Sequence, residues 1–417
     1  MRQLGLPIPT SGSQGGTLTV NFTGLSDDTA GAVAVRTTTV APGGRAGLAY
    51  AGIPVSQALT APAYITGLRQ NSTDRSNIAV QNAGGSSDGS ITLRVTVYSG
   101  DVAHAQASQL PDIPLSPGGF QQISGVLGGV SLSNGYARIE RINGTAPFYA
   151  YGVINDQSNS DGSFVFPILE SSLIGKTKLT LPVIVETSAF NSELVVTNWS
   201  TSMKTLNCRF VASAVQAANS TAQFQIAINP SEQLILPNFI QYLRDHGVVG
   251  IGSSGPAYAG ALFASVSSGD LSGISLSART STPGGGGRYG LFYSSLPNGT
   301  APTTSAWIYD LQQDAESRSN LALVNTGEQD GNDNNFQIDL FDGENGILVN
   351  TLGLSLPAGS WYQIGTILAQ YGKGATQGYA HIKLTSGDNP FVVYGVINDG
   401  NQPGARTGDG AYLAGAP

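Results

Sequence analysis

The sequence predicts an all-β protein made of tandem antiparallel β-sandwich modules in series, each with at most one short helix. The first observation behind this prediction is alternation: residues 91–98 and 336–340 alternate apolar and polar side chains, the pattern of a strand with one buried face. The second is punctuation by Gly, Asn, Asp and Ser clusters roughly every ten residues, which is typical of antiparallel sandwiches. The third is an internal repeat: residue patterns from the first part of the chain recur later at a constant distance in sequence.

That repeat has an offset of 243 residues. The displaced pairs include Arg36 and Arg279, Gly47 and Gly290, Tyr50 and Tyr293, residues 75–79 and 318–322, and residues 151–156 and 394–399. Residues 151–156 return letter for letter. Landmarks this far apart keep one offset only if the architecture between them is duplicated as well.

A weaker periodicity divides the repeat in two, because residues 77–82 align with 192–198. We therefore predict modules at 60–171, 172–300 and 301–417, preceded at 1–59 by the later half of a module. Half a sandwich leaves an apolar face uncovered. Three explanations are open: the chain is a piece of a longer array, a partner covers the half-module in an assembly, or the half-module packs onto a neighbouring module.

The composition excludes several classes of protein. Charged residues make up 11% of the chain, against roughly 25% in ordinary globular proteins. The net charge of −8 and the scattered 19 basic residues argue against nucleic-acid binding. No apolar run is long enough to predict membrane insertion. Residues 1–16 lack the pattern of a signal peptide; either an export signal has been removed or the protein is cytosolic, and the composition favours the first.

Two short helices interrupt the strand pattern. The first is predicted at 237–246, with Phe239, Tyr242, Leu243 and His246 on one apolar stripe and a glycine stop after it. The second is predicted at 361–371, and both would cover an end of a sandwich.

Glycine-rich stretches have plain interpretations. Residues 250–255 match a dinucleotide-binding spacing but follow a helix pattern and precede a proline, so we predict a turn. Residues 283–288 and their copy at 42–45 predict hairpin turns. Cys208 alternates with Leu206 and Phe210, which predicts a buried, inert thiol.

Oxygen-rich loops are the candidate metal sites. Asp330 and Asp333 lie among Asn332, Asn334 and Asn335, and a second such loop contains Asn155, Asp156 and Asp161. Calcium requires six to eight converging oxygens, and no twelve-residue loop ending in Glu is present. Asx turns are the simpler interpretation. We therefore predict no cofactor, with Asp330 and Asp333 as the calcium candidates.

No catalytic motif stands out. His104, His246 and His381 occur in unrelated contexts, and a duplicated enzyme would be expected to repeat its acidic pair. The acidic residues that do repeat, Asp156 with Asp399 and Asp161 with Asp409, lie in turns. We predict that the protein is not an enzyme.

Candidate interaction residues are aromatic. Trp199, Trp307 and Tyr149 are predicted to be exposed and could stack on sugar rings, whereas Trp361 is assigned to the core. The repeated polar residues Arg36/Arg279 and Asn155/Asn398 are predicted to satisfy turn carbonyls at sandwich corners.

The motifs at 36–48, 279–291 and 319–327 resemble tandem modules of large secreted and surface proteins of environmental bacteria. The resemblance implies β-sandwiches with no assigned chemistry, so no catalytic residue is carried over. It departs most at 172–256, where Trp199 and Cys208 have no counterpart.

We therefore expect an extracellular or cell-surface structural and adhesive repeat protein. Its partners would be other copies of itself, assembling head to tail into a fibre or surface layer. The alternative is a carbohydrate-binding module array of a secreted protein; a glycan hydrolase ranks third.

Overall fold

The computed structural model describes residues 15–25, 31–104, 106–213, 221–255 and 257–416. Strands account for 54% of it and helices for 6%, and the strands pair in antiparallel sheets. The predicted all-β class is confirmed. Neither α-helix in the described part has the length and apolar run needed to cross a bilayer.

The first two strands of the described structure form a hairpin that stands outside the three modules. Its strands are β1 (Ala34–Ala41) and β2 (Gly44–Ala51), and they pair only with each other among the described residues. Gly43 supplies the positive φ, 85°, that the two-residue turn requires. β2 is buried from Ala46 to Ala49, whereas β1 is exposed along most of its length.

The first module contains two sheets. Its strands are β3 (Ala63–Arg69), β4 (Asp74–Asn82), β5 (Ile91–Ser99), β6 (Ala107–Gln109), β7 (Ile113–Leu115), β8 (Phe120–Ile123), β9 (Asn134–Asn143), β10 (Phe148–Asp156), β11 (Gly162–Val165) and β12 (Ile168–Leu169). One sheet has the order β11-β10-β4-β8 and the other β12-β3-β9-β5-β6, with β7 also paired to β5.

The middle module forms one nine-stranded sheet. Its elements are β13 (Lys178–Glu186), β14 (Asn191–Asn198), β15 (Lys204–Ala212), β16 (Thr221–Ile228), β17 (Gln233–Leu236), α1 (Phe239–Asp245), β18 (Tyr258–Val266), β19 (Ile274–Gly284), β20 (Gly287–Ser294) and β21 (Leu296–Pro297). The order is β16-β15-β18-β13-β14-β19-β20, with β17 on β14 and β21 on β13.

The third module returns to the plan of the first. Its elements are β22 (Ser305–Gln312), β23 (Ser317–Asn325), β24 (Asn334–Asp342), β25 (Leu348–Leu356), β26 (Ser360–Ile364), α2 (Ile367–Tyr371), β27 (Gln377–Ser386), β28 (Phe391–Asp399) and β29 (Gly410–Ala414). Its sheets have the orders β22-β27-β24-β25 and β26-β23-β28-β29. None of these strands crosses a predicted boundary.

The 243-residue repeat is a repeat of strand register. Asn77 of β4 pairs with Val153 of β10, and Asn320 of β23 pairs with Val396 of β28. The hairpin β1-β2 repeats the hairpin β19-β20, since Arg36 lies opposite Ala49 and Arg279 lies opposite Phe292. The half-module at the start of the chain is therefore represented by a hairpin equivalent to the last two long strands of the middle module.

The modules share apolar cores. Val324 and Tyr394 of the third module belong to the core cluster of the middle module, and Val195 and Phe292 of the middle module belong to that of the first. These interfaces are more apolar than the modest contact expected for modules in series. The cause is visible in β28, all nine residues of which are buried, because its second face packs against the middle module.

Two details of the helix predictions are wrong. Residues 360–364 form β26, where Trp361 pairs with Val324, and helix α2 spans only Ile367–Tyr371. A buried aromatic side chain fits this strand, because the indole Nε1 of Trp361 donates to the hydroxyl of Tyr394 at 2.9 Å. His246 is exposed instead of lying on the apolar stripe of α1.

Replacing the acceptor of that indole tests the part of the third module that packs against the middle module. Tyr394→Phe leaves the buried Trp361 N–H without a partner, so we expect a loss of about 1–3 kcal/mol in the free energy of unfolding, measured by denaturant titration. Tyr412→Phe is the matched control in the same aromatic cluster, since its hydroxyl makes no hydrogen bond to another described residue. Equal losses in the two variants would contradict this role of the Tyr394 hydroxyl.

Candidate functional site

The hairpin β19-β20 is fixed to the first module by two buried carboxylates. Asp156, at the end of β10, accepts the backbone N–H of Arg288 at 2.9 Å. Asp161, just before β11, accepts the backbone N–H of Gly290 at 2.6 Å. Both N–H groups belong to β20 and point at charged acceptors, and such hydrogen bonds are stronger than neutral ones.

The same arrangement joins the hairpin β1-β2 to the third module. Asp399 accepts the N–H of Arg45 at 3.1 Å, and Asp409 accepts the N–H of Gly47 at 2.8 Å. Asp409 is 362 residues from Gly47 in the chain. We call Asp156, Asp161, Asp399 and Asp409 the carboxylate clasp; all four are buried.

Two glycines make this approach possible. A Cβ added at Gly287 would collide with the carboxylate of Asp156, and one added at Gly44 would collide with that of Asp399. Gly44 and Gly287 are equivalent positions of the repeat. Any larger residue there would push the hairpin away from its acceptor.

Asp161 and Asp409 also meet each other at the centre of the molecule. The Oδ1 atom of each is buried without a donor, while each carboxyl is close enough to the other to share a hydrogen bond. Burial raises the pKa of Asp161 to about 6. Burial, together with the charge and hydrogen bond of Asp161, raises the pKa of Asp409 well above its ordinary value. The raised pKa values favour a proton on this pair of carboxyls.

The arginines beside the clasp differ between the two copies. Arg279 contacts Asp74 through Nη1 at 3.0 Å and donates through Nε to the hydroxyl of Ser163 at 2.9 Å. Its equivalent, Arg36, faces a module in which Ser317 replaces Asp74, and its Nε is buried without a partner. The second copy of the junction is therefore less completely paired.

A cluster of rings covers the outer side of the sheet β22-β27-β24-β25. Trp307 and Tyr309 of β22, Phe341 of β24, and Tyr379 and His381 of β27 are each partly exposed. The rings of Trp307 and His381 stack with centroids 3.8 Å apart, and those of Phe341 and Tyr379 with centroids 5.0 Å apart. We call these five residues the aromatic face.

Polar groups border the aromatic face. Lys383 contacts Asp339 at 2.7 Å, and Asp339 also accepts from Gln337 and Thr351. Burial and the nearby Lys383 lower the pKa of His381, which favours the neutral ring on which Trp307 stacks. The face thus presents flat apolar rings beside hydrogen-bonding groups.

In the first module, the equivalent face is covered. Tyr64, Tyr98 and Tyr136 occupy the positions of Trp307, Phe341 and Tyr379, and Trp199 of the middle module stacks on Tyr64 with centroids 4.4 Å apart. Tyr64 is 6% exposed and Tyr136 is 1% exposed.

Gln233 of β17 adds hydrogen bonds to this contact between the first and middle modules. Its side chain accepts the N–H of Gly67 at 2.7 Å and donates to the carbonyl of Gly135 at 2.8 Å. The interface between the first and middle modules therefore combines ring stacking with buried backbone pairing.

The three aromatic residues predicted from the sequence lie in three places. Trp199 is used inside the chain, Trp307 lies on the aromatic face, and Tyr149 lines a cavity of about 440 Å³ between the first module and residues 17–22. They do not form one binding surface. Tyr309, Phe341, Tyr379 and His381 were not predicted, although strand alternation with Trp307 and pairing with β27 connect them.

The calcium candidates are engaged by protein donors. Asp330 accepts the N–H and the side-chain amide of Asn332, at 3.0 and 2.6 Å, and the side-chain amide of Asn389 at 2.8 Å. These bonds lower the pKa of Asp330. Asp333 is exposed, with Ser355 Oγ at 3.4 Å. In the described part of the chain, no group of three or more His, Cys, Asp or Glu is placed to hold a metal ion.

The cysteine, the histidines and the repeated asparagines singled out from the sequence are the remaining candidates. Cys208 is buried, and burial raises the pKa of its thiol to about 12. His246 contacts the carbonyl of Tyr242 at 2.8 Å through Nδ1, at the end of α1. The side chain of His104 lies outside the described part of the structure. Asn155 and Asn398 each accept from an equivalent asparagine, Asn77 and Asn320.

The shared proton predicts a pH-dependent stability. Because the folded chain holds a proton on Asp161 more tightly than the unfolded chain does, the contribution of Asp161 is complete below about pH 4 and is lost as the pH rises through about 6. The pKa of Asp409 is raised as well, so its contribution is lost in the same direction. The loss for Asp161 is on the order of 3 kcal/mol. In Asp409→Asn the amide can donate to Asp161, so we expect a smaller fall in melting temperature between pH 4 and pH 8 than in the wild type.

Asp333→Asn is the control for this comparison, since it makes the same charge change at an exposed side chain and should keep the wild-type pH dependence. Calorimetric melting curves at several pH values provide the measurement. A wild-type pH dependence in Asp409→Asn would rule out the shared proton.

Comparisons with known proteins add little. No protein family model matches the chain, and no curated protein matches it. Among solved structures the chain is similar to the crystal structure of Thermotoga maritima 1070, at 12% identity over 29% of this chain and 94% of that chain, with a TM-score of 0.21. A likeness at this TM-score gives no information on the function of the chain, and the resemblance to secreted repeat modules remains an expectation from the sequence.

Proposed function

We propose that this chain is a structural and adhesive repeat protein of the cell exterior, which assembles head to tail with other copies of itself. The observation that carries this proposal is the second copy of the carboxylate clasp. There a hairpin binds two carboxylates from which it is separated by more than 350 residues, with Gly47 donating its N–H to Asp409. Recognition by the clasp thus depends on local backbone and carboxylate geometry, and it can operate between chains.

The shared cores support a mechanical role. The middle module buries apolar side chains against both of its neighbours, so relative motion of the modules would expose them. The low content of charged residues limits repulsion between closely packed copies. The extracellular location rests on this composition and on the resemblance of the motifs to secreted repeat modules.

Assembly is tested by light scattering and negative-stain microscopy of the purified chain. We expect the mean particle mass to rise with protein concentration and elongated particles to form. Gly44→Ala, which would displace the hairpin from Asp399, should reduce this growth, and Gly353→Ala is the control because a Cβ there meets open space. A particle that stays monomeric at high concentration would overturn the assembly proposal.

Glycan binding is the second candidate function, and the aromatic face favours it. Partly exposed, flat rings beside Lys383, Asp339 and Gln337 combine the stacking and hydrogen-bonding groups that sugar rings require. Only one such face is open among the described residues, because Trp199 covers its counterpart in the first module.

A polysaccharide pull-down with the wild type and two variants tests the second candidate. Trp307→Ala should weaken binding by about tenfold, because it removes the largest ring of the face. Ile174→Ala is the control, since Ile174 is an exposed apolar residue of the middle module, 63% exposed. Equal binding by all three proteins, or by none, would exclude the aromatic face as a glycan site.

A further inference from the structure

The two equivalent strands β1 and β19 have opposite surroundings. The first nine residues of β19 are all buried, and its edge away from β20 is paired along eight residues with β14, from Asn191 opposite Ser281 to Asn198 opposite Ile274. β1 has a similar sequence pattern, and it pairs with β2 as β19 pairs with β20. Its other edge, however, has no strand beside it in the described part of the chain, and Val35 and Val40 are 43% and 88% exposed.

The open edge of β1 carries unpaired backbone groups. In an antiparallel ladder, alternate residues bond to opposite sides. The carbonyl of Val33 accepts the N–H of Gly52, so Val33 bonds toward β2. Thr38 lies five residues further on, an odd number, so its backbone groups bond away from β2. Consistent with this, Gly47 opposite Thr38 donates its N–H to Asp409. The N–H and C=O of Thr38 therefore point to the open edge, a template for another strand.

The aromatic face is open for the same reason as the edge of β1. Beside the first module, one segment of the middle module covers both equivalent surfaces. Its strand β14 pairs with the edge of β19, and Trp199, directly after β14, stacks on Tyr64. No described residue takes this position beside β1 and Trp307. The two open surfaces adjoin, because Ala49 of β2, which lies opposite Arg36 of β1, packs in the same core cluster as Ile308, between Trp307 and Tyr309.

Charge complementarity indicates what fits there. In the first copy Glu193 of β14 lies opposite Arg279 in register and pairs with Arg69 at 2.5 Å. At the second copy Gln312 replaces Arg69, and Arg36 has a buried Nε without a partner. A strand in the register of β14 would place its glutamate opposite Arg36.

We propose that the edge of β1 and the aromatic face form one strand-acceptor site, which binds an extended segment of a further middle-type module supplied in trans. The donor has the character of residues 191–199: a polar start, an apolar run at 194–196, an acidic residue opposite Arg36, and a terminal tryptophan for Trp307. The chain's own β14 is unavailable, because it already pairs with β17 and β19. A polypeptide is favoured over a sugar, since a polypeptide covers the equivalent face in the first copy.

A labelled synthetic peptide of residues 189–200 is the probe, and its binding to the full chain is followed by fluorescence anisotropy. We expect saturable binding to the wild type. Thr38→Pro removes the outward N–H and should weaken binding by at least about tenfold. Thr38→Val keeps the N–H and is the matched control, with circular dichroism showing that both variants fold. Trp307→Ala should weaken binding by about tenfold.

Changes in the peptide test the register. The peptide with Glu193→Gln and the peptide with Trp199→Ala should both bind more weakly than the parent peptide, and a scrambled peptide should not bind. Unchanged binding to Thr38→Pro, or equal binding of the scrambled peptide, would overturn the strand-acceptor site. So would the absence of peptide binding, including the case in which an oligosaccharide binds at Trp307 instead.

This inference goes beyond the proposed self-assembly, because the β14 of a second copy is paired as well, and the two proposals can fail separately. Growth of particles without peptide binding would leave assembly standing and remove the strand-acceptor site. Peptide binding without growth of particles would support the site and remove self-assembly of this chain.

Discussion

Four buried carboxylates hold two hairpins against the first and third modules. Asp156 and Asp161 accept N–H groups of β20, and Asp399 and Asp409 accept N–H groups of β2. The raised pKa values of Asp161 and Asp409 favour a proton on this pair of carboxyls. A buried carboxylate without donors would cost several kcal/mol, so each must find an N–H group, and the hairpin backbones provide them. The glycines of the hairpins are required because only a residue without a side chain lets the backbone come so close.

The apolar cores follow from the same arrangement. Strands such as β23 and β28 are buried on both faces, one by the partner sheet of their own module and one by the middle module. No module of this kind is complete alone, because it leaves an apolar outer face. The chain solves this problem for the first module with Trp199 and Gln233, which cover Tyr64 and the bulge at Gly67.

The two hairpins bind their modules with the same backbone geometry, but different amounts of the neighbouring surface are covered by other residues. β19 lies inside a nine-stranded sheet, whereas β1 pairs with β2 alone in the described structure; Tyr64 is buried, whereas Trp307 is partly exposed. Interaction surfaces in a duplicated protein arise at such differences. The position that is buried in one copy and open in the other is where the proposed partner strand would bind, and the residues that cover the buried copy indicate the chemistry of that strand.

The sequence by itself determined the all-β class, the 243-residue repeat, the hairpins at 42–45 and 283–288, and the burial of Cys208, because alternation and turn residues act locally along the chain. It also showed that Asp156, Asp161, Asp399 and Asp409 repeat, but it placed them in ordinary turns. Only the tertiary structure decided that these carboxylates bind distant hairpins, that Trp199 covers Tyr64 while the equivalent Trp307 is open, and that residues 360–364 form a strand. The physical reason is that a carboxylate's partner, and the exposure of a ring, are set by groups that approach from elsewhere in the chain, up to 362 residues away, and no local pattern encodes that approach.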